Sequence, residues 1–200
     1  MLKALFGPRV SGPDFGSDVS RSPMLPADLF VLVDILCNAA LLTPFTTTEA
    51  KIAATYMTSR HFKEREVMIE QGARTDIDFM LWVLEGEATF EAVTPGTRDA
   101  VTVTVLGVGH ALGIMSLIDG APRSLQGVAT VPTRCAVLTR SQLQALCREH
   151  ASIGVKLMCF LCLIVSAYLR DLTGKFKCHV RLNNALSAEL RGRESAPIAL

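Results

Sequence analysis

The chain has 200 residues, of which 50% are apolar and 20% are charged, and its formal net charge is +1. A chain of this length and apolar content buries one sizeable core. A net charge near zero excludes a general electrostatic attraction to nucleic acid or to an anionic membrane. We therefore expect one compact domain with short appendages, in which any anion site depends on a local arrangement of residues.

The beginning of the chain predicts a flexible arm followed by two helices. Residues 1–26 are rich in Gly, Pro, Ser and Asp without any period, which is typical of a flexible N-terminal arm. From Ala27 the apolar residues recur at three- and four-residue steps until Thr43-Pro44, which predicts a first helix. Thr46 and Glu49 have the spacing of a capping box, so a second helix begins there.

After His61 the sequence changes to short runs of β-forming residues that turn residues separate. Glycines lie at or near these turns, at positions 72, 86, 96, 107, 109, 113 and 120. Many short strands with close turn signals predict an antiparallel sandwich or barrel. They do not fit a parallel sheet with crossover helices.

The helical period returns at Ser141. It predicts a short helix over 141–150 and a longer one over 151–173, and the short tail, 174–200, has room for one more short helix around 180–190. The longer helix is apolar around most of its circumference. Such a helix packs against two surfaces, which we expect to be its own barrel and a second copy of the chain.

Cysteine usage and hydropathy predict a cytoplasmic protein. The six cysteines lie in apolar surroundings without the spacing of a zinc site or a secreted disulfide framework, so we expect reduced core thiols. The start of the chain lacks the apolar stretch of a secretory signal. The apolar segments 29–42 and 157–169 are shorter than the about 18–20 residues of a spanning helix. We therefore expect no membrane span.

The segment HALGIMSLIDGAPRS, residues 110–124, contains a candidate anion site. A glycine that enters a helical turn lets backbone amides converge on an anion, and an arginine offers two parallel hydrogen bonds to phosphate oxygens. On this interpretation Arg123 supplies the charge, Ser124 donates a hydrogen bond, and Gly113 precedes the converging amides of residues 114–116. The alternative is that Arg123 is a turn residue paired with a surface carboxylate such as Asp119.

The order of these elements over residues 30–172 resembles the cyclic nucleotide-binding domain of the catabolite activator protein family. Residues 67–90 are similar to the family's strand, glycine turn and strand, with Gly72 and Gly86 at its two turn glycines and Trp82 where an aromatic residue is common. The resemblance implies an α+β fold, in which an antiparallel β-roll (a double-stranded β-helix or jelly roll) is flanked by N-terminal helices and by a C-terminal hinge and dimer helix. The domain would span residues 27–173.

Residues 105–124 resemble the family's phosphate-binding cassette, which runs aromatic, Gly, Glu, Leu, Ala, Leu, a variable stretch, and Pro, Arg, Ala or Ser. Leu112 matches the aromatic residue, Ile114 the Glu, and Pro122 the Pro. The ligand-binding residues that the resemblance implies are Gly113, Ile114, Met115, Ser116, Arg123 and Ser124. In nucleotide-binding members the Glu accepts from the ribose hydroxyl, and Ile114 has no acceptor. Losing that bond costs about 1.5–3 kcal/mol, or about one to two decades of affinity.

The function implied is a ligand-controlled dimeric switch that binds cyclic AMP or cyclic GMP and uses no cofactor. The alternative is a degenerate domain that binds no nucleotide and serves as a structural or protein-interaction module. The family's transcription factors append a winged helix-turn-helix of about 60 residues. Only 27 residues follow Thr173, so we expect no direct DNA binding.

Catalytic and metal chemistry are not expected. No acid pair or nucleophile with its base has catalytic spacing in the sequence. The histidines, at positions 61, 110, 150 and 179, do not have the close spacing of a metal site. Cys159 and Cys162 lie inside an apolar helical run, which favours core or interface packing over redox or metal binding.

Overall fold

The structure, a computed structural model, describes residues 23–39, 43–75, 77–93 and 100–194, with side chains described as far as Ser187. Most of the predicted N-terminal arm lies outside the described residues. The chain divides into two compact units, Met1–Leu161 and Cys162–Leu200.

The described helices and strands follow the predicted order. The helices are α1 (Pro26–Cys37), α2 (Thr47–Thr55), α3 (Ile114–Asp119), α4 (Arg140–Glu149) and α5 (Ala151–Glu194). The strands are β1 (Thr58–Phe62), β2 (Val67–Ile69), β3 (Phe79–Glu85), β4 (Ala88–Val93), β5 (Ala100–Leu106), β6 (Ala111–Leu112), β7 (Gln126–Ala129) and β8 (Thr133–Thr139).

The strands form two antiparallel sheets of four, ordered β1-β8-β3-β6 and β2-β7-β4-β5. Residues Phe79–Leu84 of β3 are all buried, because β3 lies between β8 and β6 with packed side chains on both faces. This arrangement confirms the predicted antiparallel β-roll between N-terminal helices and C-terminal helices.

The turn at Gly86 requires a glycine for two reasons. Its φ of +88° lies in the left-handed region, which side chains with a Cβ disfavour. A Cβ there would lie 2.6 Å from the carbonyl oxygen of Pro132, in the turn before β8. The predicted turn at Gly86 is therefore confirmed, and so is the one at Gly72, where φ is +78°.

Helix α1 is attached to the first sheet by a buried carboxylate. Asp28 is buried, accepts a hydrogen bond from Ser59 Oγ at 2.8 Å and lies 3.4 Å from Arg134 Nε. The helix ends at Cys37, earlier than the predicted Thr43. Asn38 caps it: its side chain donates to the Asp34 carboxylate and its backbone amide to the Asp34 carbonyl.

The predicted capping box of α2 is confirmed. Thr46 Oγ1 accepts from the Glu49 amide at 3.3 Å, and Glu49 Oε2 accepts from the Thr46 amide at 2.8 Å. The Glu49 carboxylate also accepts from Lys156 Nζ of α5, at 2.7 and 2.8 Å. This ion pair joins α2 to the beginning of α5 within the first unit.

The prediction that the long helix ends at residue 173 is wrong, and the part of the tail that had room for a short helix belongs to the same helix. Helix α5 continues without interruption to Glu194. One glycine inside a helix costs only about 1 kcal/mol relative to alanine. At Gly174 an ion pair between Asp171 and Lys175, at 2.7 Å, spans the glycine with the helical i, i+4 spacing that stabilises a helix.

Helix α5 also contains a segment, Ala151–Ser187, that is long and apolar enough to cross a membrane by length and composition. The described part of the chain contains one helix that meets this criterion. Core helices of soluble proteins meet the same criterion but are mostly buried, whereas 22% of the most apolar stretch of α5 is buried. The charge-free part of the segment is residues 157–169, which is shorter than the about 20 residues of a spanning helix.

Candidate functional site

The candidate site lies where β6 leads into α3. Strand β6 pairs with β3, so that Leu112 lies opposite Leu81. Gly113 then caps α3 with a φ of +81°, and Gly120 ends the helix with a φ of +71°. The predicted helical turn is thus a six-residue helix with a left-handed glycine at each end.

Arg123 is buried, with 3% of its surface exposed, and its guanidinium turns back toward Gly113. Nη1 donates to the Gly113 carbonyl at 3.0 Å and Nη2 to the Phe79 carbonyl at 2.8 Å. The guanidinium carbon lies 4.7 Å from the centre of the Phe79 ring, in cation–π contact. The interpretation of Arg123 as a surface turn residue is therefore wrong. Asp119 accepts instead from the Ala121 amide at 2.8 Å.

The backbone of Arg123 is held as firmly as its side chain. Its carbonyl accepts from the Gly72 amide at 2.8 Å, and its amide donates to the Ala73 carbonyl at 3.2 Å. The turn that begins after β2 therefore lies directly against Arg123. The predicted turn glycine, Gly72, and the predicted anion-binding arginine, Arg123, are therefore hydrogen-bonded to each other.

Arg123 keeps its charge at neutral pH. Burial lowers its pKa to about 10, and the nearby Asp78 carboxylate opposes this shift. The site therefore holds a positive charge in surroundings where water screens it poorly. In such surroundings hydrogen bonds to an anion are stronger than in solvent.

Gly113 allows the close approach of Arg123. A Cβ at this position would lie 2.2 Å from Arg123 Nη1 and 3.1 Å from the Phe79 carbonyl oxygen. Its positive φ independently disfavours any side chain with a Cβ. The structure thus brings together the glycine and the arginine that the sequence placed ten residues apart.

A second arginine, Arg140, connects this site to helix α4. It is the first residue of α4, and its Nη2 donates to the Ser116 carbonyl of α3 at 2.7 Å. Its amide donates to the Asp78 carbonyl at 2.7 Å, next to the Phe79 carbonyl that binds Arg123. Helix α3, the start of β3 and the start of α4 are therefore joined through two arginines.

Sequence reasoning missed Arg140 and Phe79. Phe79 takes part through its backbone carbonyl, and Arg140 through a guanidinium that binds the backbone carbonyl of Ser116. Every residue has a carbonyl, so the residue types of the acceptors carry no signal of these contacts. The available clue was the position of Arg140, between a predicted strand and the helix that follows it. The contact between Phe79 and Arg123 joins two residues that lie 44 positions apart in the sequence, so it depends on how the chain folds back on itself.

The other predicted ligand-binding residues divide into two groups. Ile114 and Ser116 are buried, and they lie with Gly113 and Arg123 at the start of α3. Met115 is exposed on the outer face of α3, and Ser124 is exposed beyond Arg123.

Apolar side chains of β2 and β6 lie against Gly127 of β7, next to this site. A Cβ added at Gly127 of β7 would lie 2.8 Å from Ile69 Cγ1 and 2.8 Å from Leu112 Cδ2. These distances are shorter than real Cβ contacts. Gly127 is therefore enclosed by β2 and β6 side chains beside the start of α3.

The expectation of core thiols holds only in part. Cys135 is buried, and burial raises the pKa of its thiol. Cys159, Cys162 and Cys178 are exposed on α5. Among the residues that the structure describes, no group of three His, Cys, Asp or Glu side chains is placed to hold a metal ion.

Residues 59–150 match the family model of the cyclic nucleotide-binding domain. This match covers the β-roll, α3 and α4, including Gly113, Arg123 and Arg140. This part of the chain is therefore similar to the cyclic nucleotide-binding domain, and the predicted resemblance is confirmed. No curated protein matches the chain in sequence.

Solved structures share the fold. A cyclic nucleotide-binding domain from Methylobacillus flagellatus KT is 28% identical with a TM-score of 0.67, over 72% of this chain and 81% of that one. The Thermus thermophilus catabolite activator protein is 22% identical with a TM-score of 0.57, over 73% and 63%. The regulatory domain of Toxoplasma gondii PKA, crystallised with cAMP, is 20% identical with a TM-score of 0.51, over 66% and 48%.

Proposed function

We propose that the chain is a non-catalytic, cytoplasmic regulatory protein that binds cyclic AMP or cyclic GMP and passes the signal through a homodimer. The observation that carries this proposal is the buried, charged Arg123 held against Gly113 at the start of α3. The ligand's phosphate would bind between Arg123 and the amides of the first turn of α3. No cofactor, metal or direct DNA contact is part of the proposal.

The chemistry of Arg123 supports phosphate binding. Its two hydrogen bonds to Gly113 and Phe79 have neutral carbonyl acceptors. Hydrogen bonds in which both partners are charged are roughly twice as strong as neutral ones, and the guanidinium fork fits two phosphate oxygens. A phosphate that reaches Arg123 therefore competes well with these carbonyls. The related Toxoplasma domain was crystallised with cAMP, which is a ligand of this chemistry.

The contacts of Arg123 and Arg140 provide a route for the signal. When Arg123 turns to a phosphate, its bonds to Gly113 and Phe79 weaken, and α3 is released from the start of β3. Arg140 binds the Ser116 carbonyl of α3 and the Asp78 carbonyl. A shift of α3 is therefore passed to the first residue of α4. From α4 it reaches the dimer helix, for which we propose residues 151–173 of α5.

Isothermal titration calorimetry with cyclic AMP and cyclic GMP tests the binding proposal. We expect saturable binding that Arg123→Ala abolishes and that Arg123→Lys weakens, because lysine keeps the charge but loses the bidentate geometry. Losing one charge-assisted hydrogen bond costs about one to two decades of affinity. The matched control is Arg148→Ala, which removes an exposed arginine of α4 and leaves the affinity unchanged.

The second candidate function is a structural or protein-interaction module that binds no nucleotide. Two observations favour it: Ile114 stands where the family's glutamate would bind the ribose, and Ile69 and Leu112 enclose Gly127 inside the roll. The same titration separates the candidates. No heat with either nucleotide at millimolar concentration would contradict the switch and support the module.

A further inference from the structure

We propose that Asp78 makes the candidate site select the charge of its ligand, so that the site binds a singly charged phosphodiester and rejects a doubly charged phosphate monoester. The proposal rests on the proposed function and deepens it, because it names the class of phosphate that the site takes. It assigns this role to a carboxylate that lies outside the predicted ligand-binding residues.

Asp78 lies next to both arginines of the site, immediately before β3. Its backbone carbonyl accepts from the Arg140 amide at 2.7 Å, and the next carbonyl, that of Phe79, accepts from Arg123 Nη2 at 2.8 Å. Burial lowers the pKa of Arg123 and the Asp78 carboxylate opposes this shift, so the carboxylate lies close enough to act on that guanidinium. The fold thus brings one carboxylate to the point of the chain that holds both arginines.

The Asp78 carboxylate is partly enclosed by the protein. The side chain is half-buried, and its Oδ1 is buried and accepts no hydrogen bond from the residues that the structure describes. Water screens the charge of a buried oxygen poorly, so the charge acts over a longer distance than it would in solvent. The negative charge of Asp78 therefore acts on an anion that binds at Arg123.

Arg123, Arg140 and Asp78 together carry one net positive charge. Both guanidinium groups bind backbone carbonyls of Gly113 and α3, so both lie beside the proposed phosphate position. Two guanidinium groups, which stay charged at every physiological pH, and one carboxylate sum to one positive charge. The charged side chain within α3 itself, Asp119, is exposed, so water and salt screen it. The site therefore has one positive charge for its ligand to neutralise.

This charge balance distinguishes two kinds of phosphate. A phosphodiester such as cyclic AMP carries one negative charge, which the net charge of the site neutralises. A phosphate monoester such as 5′-AMP carries about −1.5 to −2 at pH 7. Its second charge finds no counter-charge and is repelled by Asp78. For two charges about 6–10 Å apart at an effective dielectric constant of about 20, this repulsion amounts to about one to two decades of affinity.

Isothermal titration calorimetry of the full chain at pH 8, with 5′-AMP and its phosphate methyl ester in competition with cyclic AMP, tests the proposal. The methyl ester is a singly charged phosphodiester of the same nucleoside, so this pair separates the charge of the phosphate from the closure of the cyclic ring. We expect the wild type to bind the methyl ester about one to two decades more tightly than 5′-AMP. In Asp78→Asn the two affinities become nearly equal, because the amide is uncharged.

Two further variants separate the charge of Asp78 from its shape. Asp119→Asn removes an exposed carboxylate, and its amide oxygen can still accept from the Ala121 amide, so the affinity ratio stays at the wild-type value. Asp78→Glu keeps the charge, and we expect it to keep the selectivity. Equal weakening of both ligands in Asp78→Asn, or an equal change of the ratio in Asp119→Asn, overturns the proposal. If Asp78→Asn does not fold, equal affinities of the wild type for the two ligands overturn it.

The same titrations distinguish a failure of this proposal from a failure of the proposed function. A wild-type chain that binds cyclic AMP but does not distinguish the two acyclic ligands leaves the proposed function intact and overturns the role of Asp78. A wild-type chain that binds none of the three ligands contradicts the proposed function, and the role of Asp78 is overturned with it.

Discussion

Gly113 and Arg123 form a contact that leaves no room for a side chain at position 113. The prediction is that Gly113→Ala destabilises the protein more than Gly109→Ala. Both glycines have a positive φ, +81° and +87°, so each alanine carries the left-handed cost of about 1–2 kcal/mol. Only at Gly113 does the new Cβ meet an atom, Arg123 Nη1 at 2.2 Å, whereas nothing lies within 4 Å at Gly109.

We expect this overpacking to add about 1–3 kcal/mol to the loss of unfolding free energy in Gly113→Ala. Urea unfolding of the two variants, followed by circular dichroism, measures the difference directly. Equal destabilisation by the two alanines would mean that Arg123 moves away from Gly113 at little cost. Arg123 would then not be held in the position from which we propose that it binds phosphate.

At the scale of elements, Glu49 makes contacts in two different helices. It completes the capping box of α2 with Thr46, and it accepts two hydrogen bonds from Lys156 of α5. The hydrogen bond from Lys156 is the largest cause that lowers the pKa of Glu49, from 4.5 to about 2, and the backbone amide of Thr46 adds to it. The carboxylate therefore stays charged well below the pH at which an exposed glutamate is protonated.

The prediction is that Glu49→Gln lowers stability at pH 7 and that this loss disappears in acid. Glutamine can still complete a capping box, so the variant removes chiefly the charge that attracts Lys156. A carboxylate whose folded pKa is depressed stabilises the fold above its unfolded pKa, near 4.5, and this contribution is lost as pH falls toward about 2. Thermal unfolding of both proteins at several pH values between these limits and neutrality measures the difference.

The control for this experiment is Glu64→Gln. Glu64 lies 3.8 Å from Arg65 in an exposed pair, and such pairs contribute little to stability. We expect its unfolding profile to follow that of the wild type at every pH. A difference for Glu49→Gln that persists at low pH would show that packing at this position, rather than the ion pair, connects α2 to α5.

At the scale of the whole domain, the single tryptophan reports on the contact between the roll and α5. Trp82 is fully buried in β3 and stacks on Phe160 of α5, with 5.3 Å between ring centres. Its Nε1 donates to the Gly109 carbonyl at 3.2 Å, in the turn before β6. Trp82 thus touches both the strand pair that leads to Gly113 and the beginning of α5.

The prediction is that cyclic nucleotide changes the fluorescence of Trp82 in the wild type and not in Arg123→Ala. If α3 moves when Arg123 binds phosphate, the environment of β6, Trp82 and Phe160 changes with it. Phe160→Leu keeps an apolar contact but removes the aromatic pair, worth about 0.5–1.5 kcal/mol. It should therefore shift the emission before any ligand is added. A wild-type spectrum that nucleotide leaves unchanged, despite binding in the calorimeter, would contradict the proposed route to α5.

The sequence alone determined the class of fold and the segment that contains the candidate anion site. Three properties are local and do not depend on contacts between distant segments. They are the short strands between turn glycines, the Thr46–Glu49 capping box and the spacing from Gly113 to Arg123. It did not determine where α5 ends, because one glycine is a weak helix breaker and the Asp171–Lys175 pair spans it.

Only the tertiary structure decided the surroundings of Arg123. Whether an arginine after a turn faces water or the interior depends on the atoms that other segments bring to it. Here these atoms are the carbonyls of Phe79 and Gly113. The bond from Arg140 to Ser116 is of the same kind, since its acceptor is a backbone oxygen that any residue would supply. Sequence patterns predict elements because side chains set local preference, whereas this site is built from backbone groups that only the fold brings together.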